Sequence, residues 1–214
     1  MAEVKARPIL FNGPMVSAVL AGDKAQTRRT NGLEYFSRVE NDPDGWGCAR
    51  VADGNAYMVY KQSPHERAVK CPYGQPGDRL WVRETWQHAN HPFGPYQDHT
   101  PVFYRADYLD DPHGPDGELS PEGRYREWRP SIHMPRSACR LVLEVAAVRV
   151  ERLQAISRGD AMAEGCPFPN MAQGDDPRQW YAGLWNSING TGAWEINPWV
   201  WVVEFGPING GGQS

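Results

Sequence analysis

Cys139-Arg140-Leu141-Val142-Leu143-Glu144-Val145-Ala146-Ala147-Val148-Arg149-Val150-Glu151-Arg152-Leu153 carries the strongest strand signal in the chain. Leu141, Leu143, Val145, Val148 and Val150 approximate the alternation of a strand with one buried face, and the paired alanines interrupt it where a bulge would fall. This should be a central barrel strand. Just downstream, Ser157 is placed to cap a short helix running through Glu164, with Asp160 supporting its start as a capping-box carboxylate does. A second helix is expected from 176 or 177 to 188, burying Trp180, Leu184 and Trp185. Residues 199–205 alternate tightly enough to close the sheet as a C-terminal strand.

Working upstream, the turn signal Pro76-Gly77-Asp78 launches Arg79-Leu80-Trp81-Val82-Arg83-Glu84-Thr85-Trp86, in which Leu80, Val82 and Glu84 share one strand face. Another strand is expected at 102–105. The first ordered unit is a strand at 9–11, followed by a short helix that Pro14 opens and Gly22 closes. Met15, Val16, Val19 and Leu20 give that helix an apolar face. Two polar stretches rich in Gly, Asp, Asn and Pro interrupt this series, at about 31–72 and 87–130. The first reads as an excursion over the surface with a strand at 57–60, the second as an insertion whose polar part, between the strand at 102–105 and Ser131, is expected to be mobile.

With 214 residues, 40% hydrophobic and 22% charged, the chain has enough apolar surface for one core, and a single domain over 1–214 is expected. No apolar run approaches the roughly 18 residues that would cross a bilayer, so a soluble protein with no membrane partner is expected. Cys48, Cys71, Cys139 and Cys166 form no CxxC pair, which argues against a disulfide framework or zinc site and for a reducing cytoplasm. The net charge of −4 gives no overall attraction to polyanions, so any nucleic-acid contact must be local. Charge is segregated, with Asp107, Asp110, Asp111, Asp116 and Glu118 in one stretch and Arg136, Arg140, Arg149, Arg152 and Arg158 in another. A small basic concavity is therefore expected despite the acidic total.

Three motifs follow one another: Leu20-Ala21-Gly22-Asp23-Lys24-Ala25-Gln26-Thr27-Arg28-Arg29, then Gly77-Asp78-Arg79-Leu80-Trp81-Val82, then Ile156-Ser157-Arg158-Gly159-Asp160-Ala161-Met162-Ala163-Glu164-Gly165. This order resembles the ASCH (activating signal cointegrator homology) family. There, a helix ending in Ala-Gly and a Lys-x-x-Thr loop precede a Gly-Asp strand start, and a later short helix ends in a carboxylate. Trp81 to Trp86 and Pro-Ser-Ile-His-Met-Pro at 130–135 look like the longer ASCH-type proteins of bacteriophages and prophages. The resemblance implies a mixed α/β, β-rich fold, a PUA-like β-barrel with short helices at its mouth and a cleft for RNA or a modified nucleoside. It also points to small bacterial amidohydrolases of 4-acetylcytidine, whose functional Lys, Thr and Glu fall by motif on Lys24, Thr27 and Glu164.

The chemistry suits those residue types, because amide hydrolysis needs a nucleophile, a proton acceptor and a donor for the leaving amine. Thr27 would be the nucleophile, a desolvated Lys24 beside Arg28 and Arg29 its base, and Glu164 the proton shuttle. Alternatively Thr27 and the arginines orient the substrate while a water attacks with Glu164 as base. Without the family pattern, Lys24 reads as a solvated charge at a helix C-terminus and Glu164 as an ordinary helix-end carboxylate. Further candidates for contact with a base are Arg28, Arg29, Arg83, Glu84, Trp86 and His133, through hydrogen bonds or stacking. Core packing explains Trp86 as well, and a lone histidine among apolar neighbours is more often structural. No metal or cofactor is implied. Beside the amidohydrolase stand a non-catalytic module binding RNA or a modified base, and a ribonuclease.

Overall fold

The computed structural model describes residues 3–61, 63–91, 94–111, 127–167 and 176–208. The fold is mixed α/β and rich in strands, as the sequence predicts. Its main sheet contains β1 (Ala6–Leu10), β2 (Gln26–Arg29), β6 (Arg79–Arg83), β9 (Val142–Arg152) and β10 (Trp199–Pro207), in the order β1-β6-β9-β10-β2. Only the β1–β6 pair is parallel. The chain reaches β6 from β1 through α1 (Gly13–Ala21), β2 and the 31–72 stretch.

β9 is the central strand its pattern promises, paired to β6 on one side and β10 on the other. The β9–β10 register shifts where Glu204 faces Ala147 and Phe205 faces Val145, so Ala146 is the extra residue of a bulge. β10 is buried from Trp199 to Val203 without a break, because both of its faces are covered. Trp199, Trp201, Val203 and Phe205 face the main core with Ile9, Phe11, Leu80 and Leu143. Val200 and Val202 face a second cluster with Leu153, Ile156 and Ala161, closed over by Tyr181 and Trp185 of α3 (Pro177–Asn189). Tyr181 thus takes the buried line of α3 that was expected of Trp180 and Leu184, which are only partly buried.

Helix ends follow the local rules. The Asn12 side chain accepts from the Met15 amide, and Gly22 closes α1 in the left-handed region at φ 84°. Val16 and Val19 are buried, whereas Leu20, expected on the same face, is exposed. The capping box of α2 (Arg158–Ala163) is complete, with Ser157 Oγ accepting from the Asp160 amide at 3.0 Å and Asp160 accepting from the Ser157 amide at 3.2 Å.

The stretch at 31–72 departs from the expected excursion. After three short 3-10 turns it forms an antiparallel sheet of β3 (Trp46–Ala52), β4 (Asn55–Tyr60) and β5 (Glu66–Lys70). Leu33, Phe36, Ala56 and Met58 join the main core, so this segment has an apolar face that its Gly and Asp content masks. The expected long strand at 79–86 ends at Arg83. The chain turns at Glu84 and Thr85, and β7 (Trp86–His88) pairs with β8 (Val102–Tyr104) in a separate two-stranded ribbon. Of the acidic stretch, Asp116 and Glu118 lie outside the described residues. Among the described residues no helix is long and apolar enough to cross a membrane.

Candidate functional site

The segment after Gly22 is bound tightly to α1, since the amides of Asp23 and Lys24 both donate to Ala18 O. Lys24 and Glu164 then form an isolated antiparallel bridge, and Ala25 N donates to Ala163 O at 2.9 Å. Gly165 permits this approach. It lies at φ +96°, and a Cβ there would meet Ala18 Cβ at 3.1 Å and Lys24 Cβ at 3.4 Å.

At this junction Lys24 is 3% exposed and Glu164 4%. Lys24 Nζ donates to Glu164 Oε2 at 2.7 Å, to Gln26 O at 2.7 Å and to Glu164 O at 3.0 Å, which uses all three protons of an ammonium. Arg28 Nη1 donates to the other Glu164 oxygen at 3.1 Å. Burial lowers the Lys24 pKa and Glu164 opposes that shift, with Arg29 and Arg28 adding smaller pushes downward.

β2 sorts its side chains by alternation. Gln26 and Arg28 turn to the acidic side, where the Arg28 Nε and Nη2 atoms donate to Glu151 Oε1 at 3.2 and 2.7 Å. Arg149 extends the network to Glu151, Asp160 and Glu204. Burial pushes the Asp160 carboxyl upward, but hydrogen bonds from Ser157 and Gln26 and the charge of Arg149 hold it well below the usual range. Thr27 and Arg29 turn the other way, and Thr27 Oγ1 accepts from Arg29 Nη1 at 2.7 Å. Arg29 also donates to Arg28 O and Leu10 O. Among the described residues it has no carboxylate in ion-pair contact.

A cavity of about 350 Å³ opens over this junction. Its polar end is made by Arg28, Arg29 and Glu164, and its walls include Phe11 from the end of β1, Asn31 beyond β2, and Tyr181 with Trp185 from α3. The cavity joins a charged end to apolar and aromatic walls, as sites for flat polar ligands do. The structure therefore brings Lys24, Arg28 and Glu164 into direct contact and puts Arg28, Arg29 and Glu164 on the cavity wall. Thr27 lies next to this set but is fully buried, and its hydroxyl is held by Arg29.

The remaining candidates lie elsewhere. Glu84 is buried on the Leu80 and Val82 face, gripped by Arg140 through two hydrogen bonds of 2.9 and 3.0 Å, and burial raises its pKa against that arginine. It serves as a buried ion pair, not a base-binding group. Trp86 is 1% exposed, packed with Met134 and Ala138, with the Arg129 guanidinium 5.0 Å from its ring centroid. No face of its ring is left for stacking. Arg83 donates to Ile132 O and lies over Trp81. His133 is exposed at the end of a 3-10 turn, of which only Ser131 lines the cavity. Three of the arginines expected to form a basic concavity are spent on carboxylates. Arg140 is paired with Glu84 and Asp107, Arg149 with three carboxylates, and Arg152 with Asp44.

Tyr181, Phe11 and Asn31 were not singled out from the sequence, and Trp185 was read only as core. The i, i+4 spacing of Tyr181 and Trp185 on an amphipathic helix was the available signal, and it reads equally well as core. Among the described residues no three His, Cys, Asp or Glu side chains gather as metal ligands do.

No protein-family model matches the chain, and no curated protein does. Among solved structures, the crystal structure of an ASCH domain from Lactobacillus crispatus JV V101 aligns with 95% of this chain and 79% of its own, at 10% sequence identity and a TM-score of 0.36.

Proposed function

We propose that the cavity binds a 4-acylated cytidine or a related modified nucleoside and hydrolyses its acyl amide, with Glu164 as the group that carries the proton. The observation behind this reading is the placement of Glu164: a buried carboxylate on a ligand-sized cavity, with Lys24 on one oxygen at 2.7 Å and Arg28 on the other at 3.1 Å. The motif resemblance of Lys24, Thr27 and Glu164 to the small amidohydrolases of 4-acetylcytidine supports it independently.

Hydrolysis adds a water oxygen to the acyl carbon and breaks the bond from that carbon to the exocyclic nitrogen. One proton of the water must reach that nitrogen, and the other leaves with the acid. Burial disfavours the Lys24 ammonium, and Lys24 Nζ lies against one Glu164 oxygen at 2.7 Å. Glu164 then takes a proton from the attacking water and returns it to the departing nitrogen. Arg28 fixes the carboxylate, and Arg29, without a carboxylate partner among the described residues, offsets negative charge developing at the acyl oxygen. Thr27 holds Arg29 by accepting its hydrogen bond, the orienting role that leaves attack to water.

The test is incubation with a panel of 4-acylated cytidines, scoring released acid and free cytidine. The wild type should turn over at least one of them, and Glu164→Gln should lose about 10²- to 10⁴-fold in kcat/KM. Absence of turnover by folded wild type would refute hydrolysis. One observation favours the second reading, a nucleoside- or RNA-binding module without turnover: all three Lys24 protons and both Glu164 oxygens are engaged within the protein. That reading predicts salt-sensitive binding weakened by Arg29→Ala.

A further inference from the structure

The hydrogen-bond inventory of the cavity sets one group apart. Lys24 spends its three protons on Glu164 and Gln26. Arg28 is as fully committed: Nε donates to Glu151, Nη1 to Gln26 Oε1 and Glu164 Oε1, and Nη2 to Glu151, with Asp160 at 3.5 Å. Neither cation gives a new hydrogen bond to a ligand without breaking one inside the protein, and such a break at a buried charge is costly. Arg29, on the cavity wall, retains spare donors and supplies the positive charge already assigned to it.

Tyr181 is different, because its hydroxyl is held by a side-chain hydrogen bond to Glu164, the group that the reaction protonates. It lines the cavity from α3, is 3% exposed, and has the Arg28 guanidinium carbon 5.8 Å from its ring centroid. The geometry points to Tyr181 as a catalytic residue whose hydroxyl hydrogen-bonds the acyl oxygen of the bound substrate as charge develops there. The inference rests on the hydrolytic reading of the cavity and adds to it the donor that Lys24 and Arg28 cannot supply.

No proton leaves the tyrosine. Burial, and after it the negative charge of Glu164, raise the phenol pKa well above its ordinary value, so the group stays a donor at any working pH. The catalytic step itself redirects it. Once Glu164 has taken the proton of the attacking water it is a weaker acceptor, and the strongest acceptor left within the cavity is the tetrahedral alkoxide.

The experiment compares wild type with Tyr181→Phe on an acylated cytidine and on its thioacyl analogue, in which sulfur, a poor acceptor, replaces the acyl oxygen. On the oxygen substrate Tyr181→Phe should lose about 10²- to 10³-fold in kcat while KM changes less than about threefold. On the thioacyl substrate the loss should be much smaller. Because the ratio of the two rates is independent of the fraction of protein folded, it separates a catalytic hydroxyl from a packing defect. Equal losses on both substrates, or a kcat for Tyr181→Phe within about threefold of wild type, would overturn the role of Tyr181 while leaving hydrolysis standing. A wild type that turns over neither substrate would overturn the hydrolytic reading and this role with it.

Discussion

At the scale of single residues, the Lys24, Glu164 and Arg28 contacts bear on stability and, in the proposed function, on chemistry. Taking charges this far out of water is costly, and the contact between them recovers the cost only while both partners are present. Lys24→Met leaves Glu164 with Arg28 alone and is expected to destabilise the fold by about 3 to 5 kcal/mol, measured by urea unfolding. The double substitution Lys24→Met with Glu164→Leu should recover much of that loss, because it removes both charges and fills their space. Activity should not return in the double variant. A stable and active double variant would show that the pair is scaffolding only. The lysine and the glutamate were legible because they fall in short motifs at fixed offsets from a helix end. Tyr181 was not, because nothing in a stripe of apolar and aromatic residues tells which member faces a cavity.

At the scale of elements, α2 delivers Glu164, and its two ends can be tested separately. Asp160 closes the capping box and bonds Gln26 and Arg149, and its folded pKa lies below the ordinary 3.8. The stability it contributes is therefore fully present above that ordinary value and is lost as pH falls toward the folded one. The cost of Asp160→Asn should be larger at about pH 6 than at about pH 2.5, and an equal cost at both would contradict the assignment. At the other end, Gly165→Ala must strain a left-handed backbone and crowd Ala18 and Lys24, whereas Gly77, at φ +88°, has open space around its missing Cβ. Both alanine variants should destabilise by about 1 kcal/mol or more, but only Gly165→Ala should also depress turnover, since it alone moves Glu164 relative to Lys24. Helix caps and the bulge at Ala146 were readable because each depends on a few adjacent residues. The β3–β4 hairpin was equally local, with Asp53 at φ 52° and Gly54 at φ 71° as its turn, but a polar composition around that Asp-Gly pair drew the reading toward a loop.

At the scale of the whole molecule, the cavity exists because distant segments converge on β10, which is buried on both faces. The main core fixes Phe11, and Trp201 holds Asn31 by donating its indole proton to the Asn31 carbonyl at 3.0 Å. The second cluster fixes Tyr181 and Trp185 against Val200 and Val202. The strand-rich class follows from alternation, which is why β9 and β10 were legible. The pairing of arginines with carboxylates was not, since Arg28 meets Glu151 across 123 positions and Arg140 meets Glu84 across 56. Arg140, Arg149 and Arg152, which looked like part of a basic stretch in sequence, are paired with carboxylates in space, and among the described residues Arg29 is left at the cavity without a carboxylate against it. Arg29→Ala should accordingly weaken binding of a short RNA at low salt more than at high salt, measured calorimetrically. The most direct measurement is a crystal structure of the Glu164→Gln variant with a 4-acylated cytidine. The account predicts density for the nucleoside between β2 and α3, with its acyl amide over Gln in place of Glu164 and its acyl oxygen beside the Tyr181 hydroxyl. An empty cavity, or a nucleoside bound with its amide turned away from that position, would contradict it.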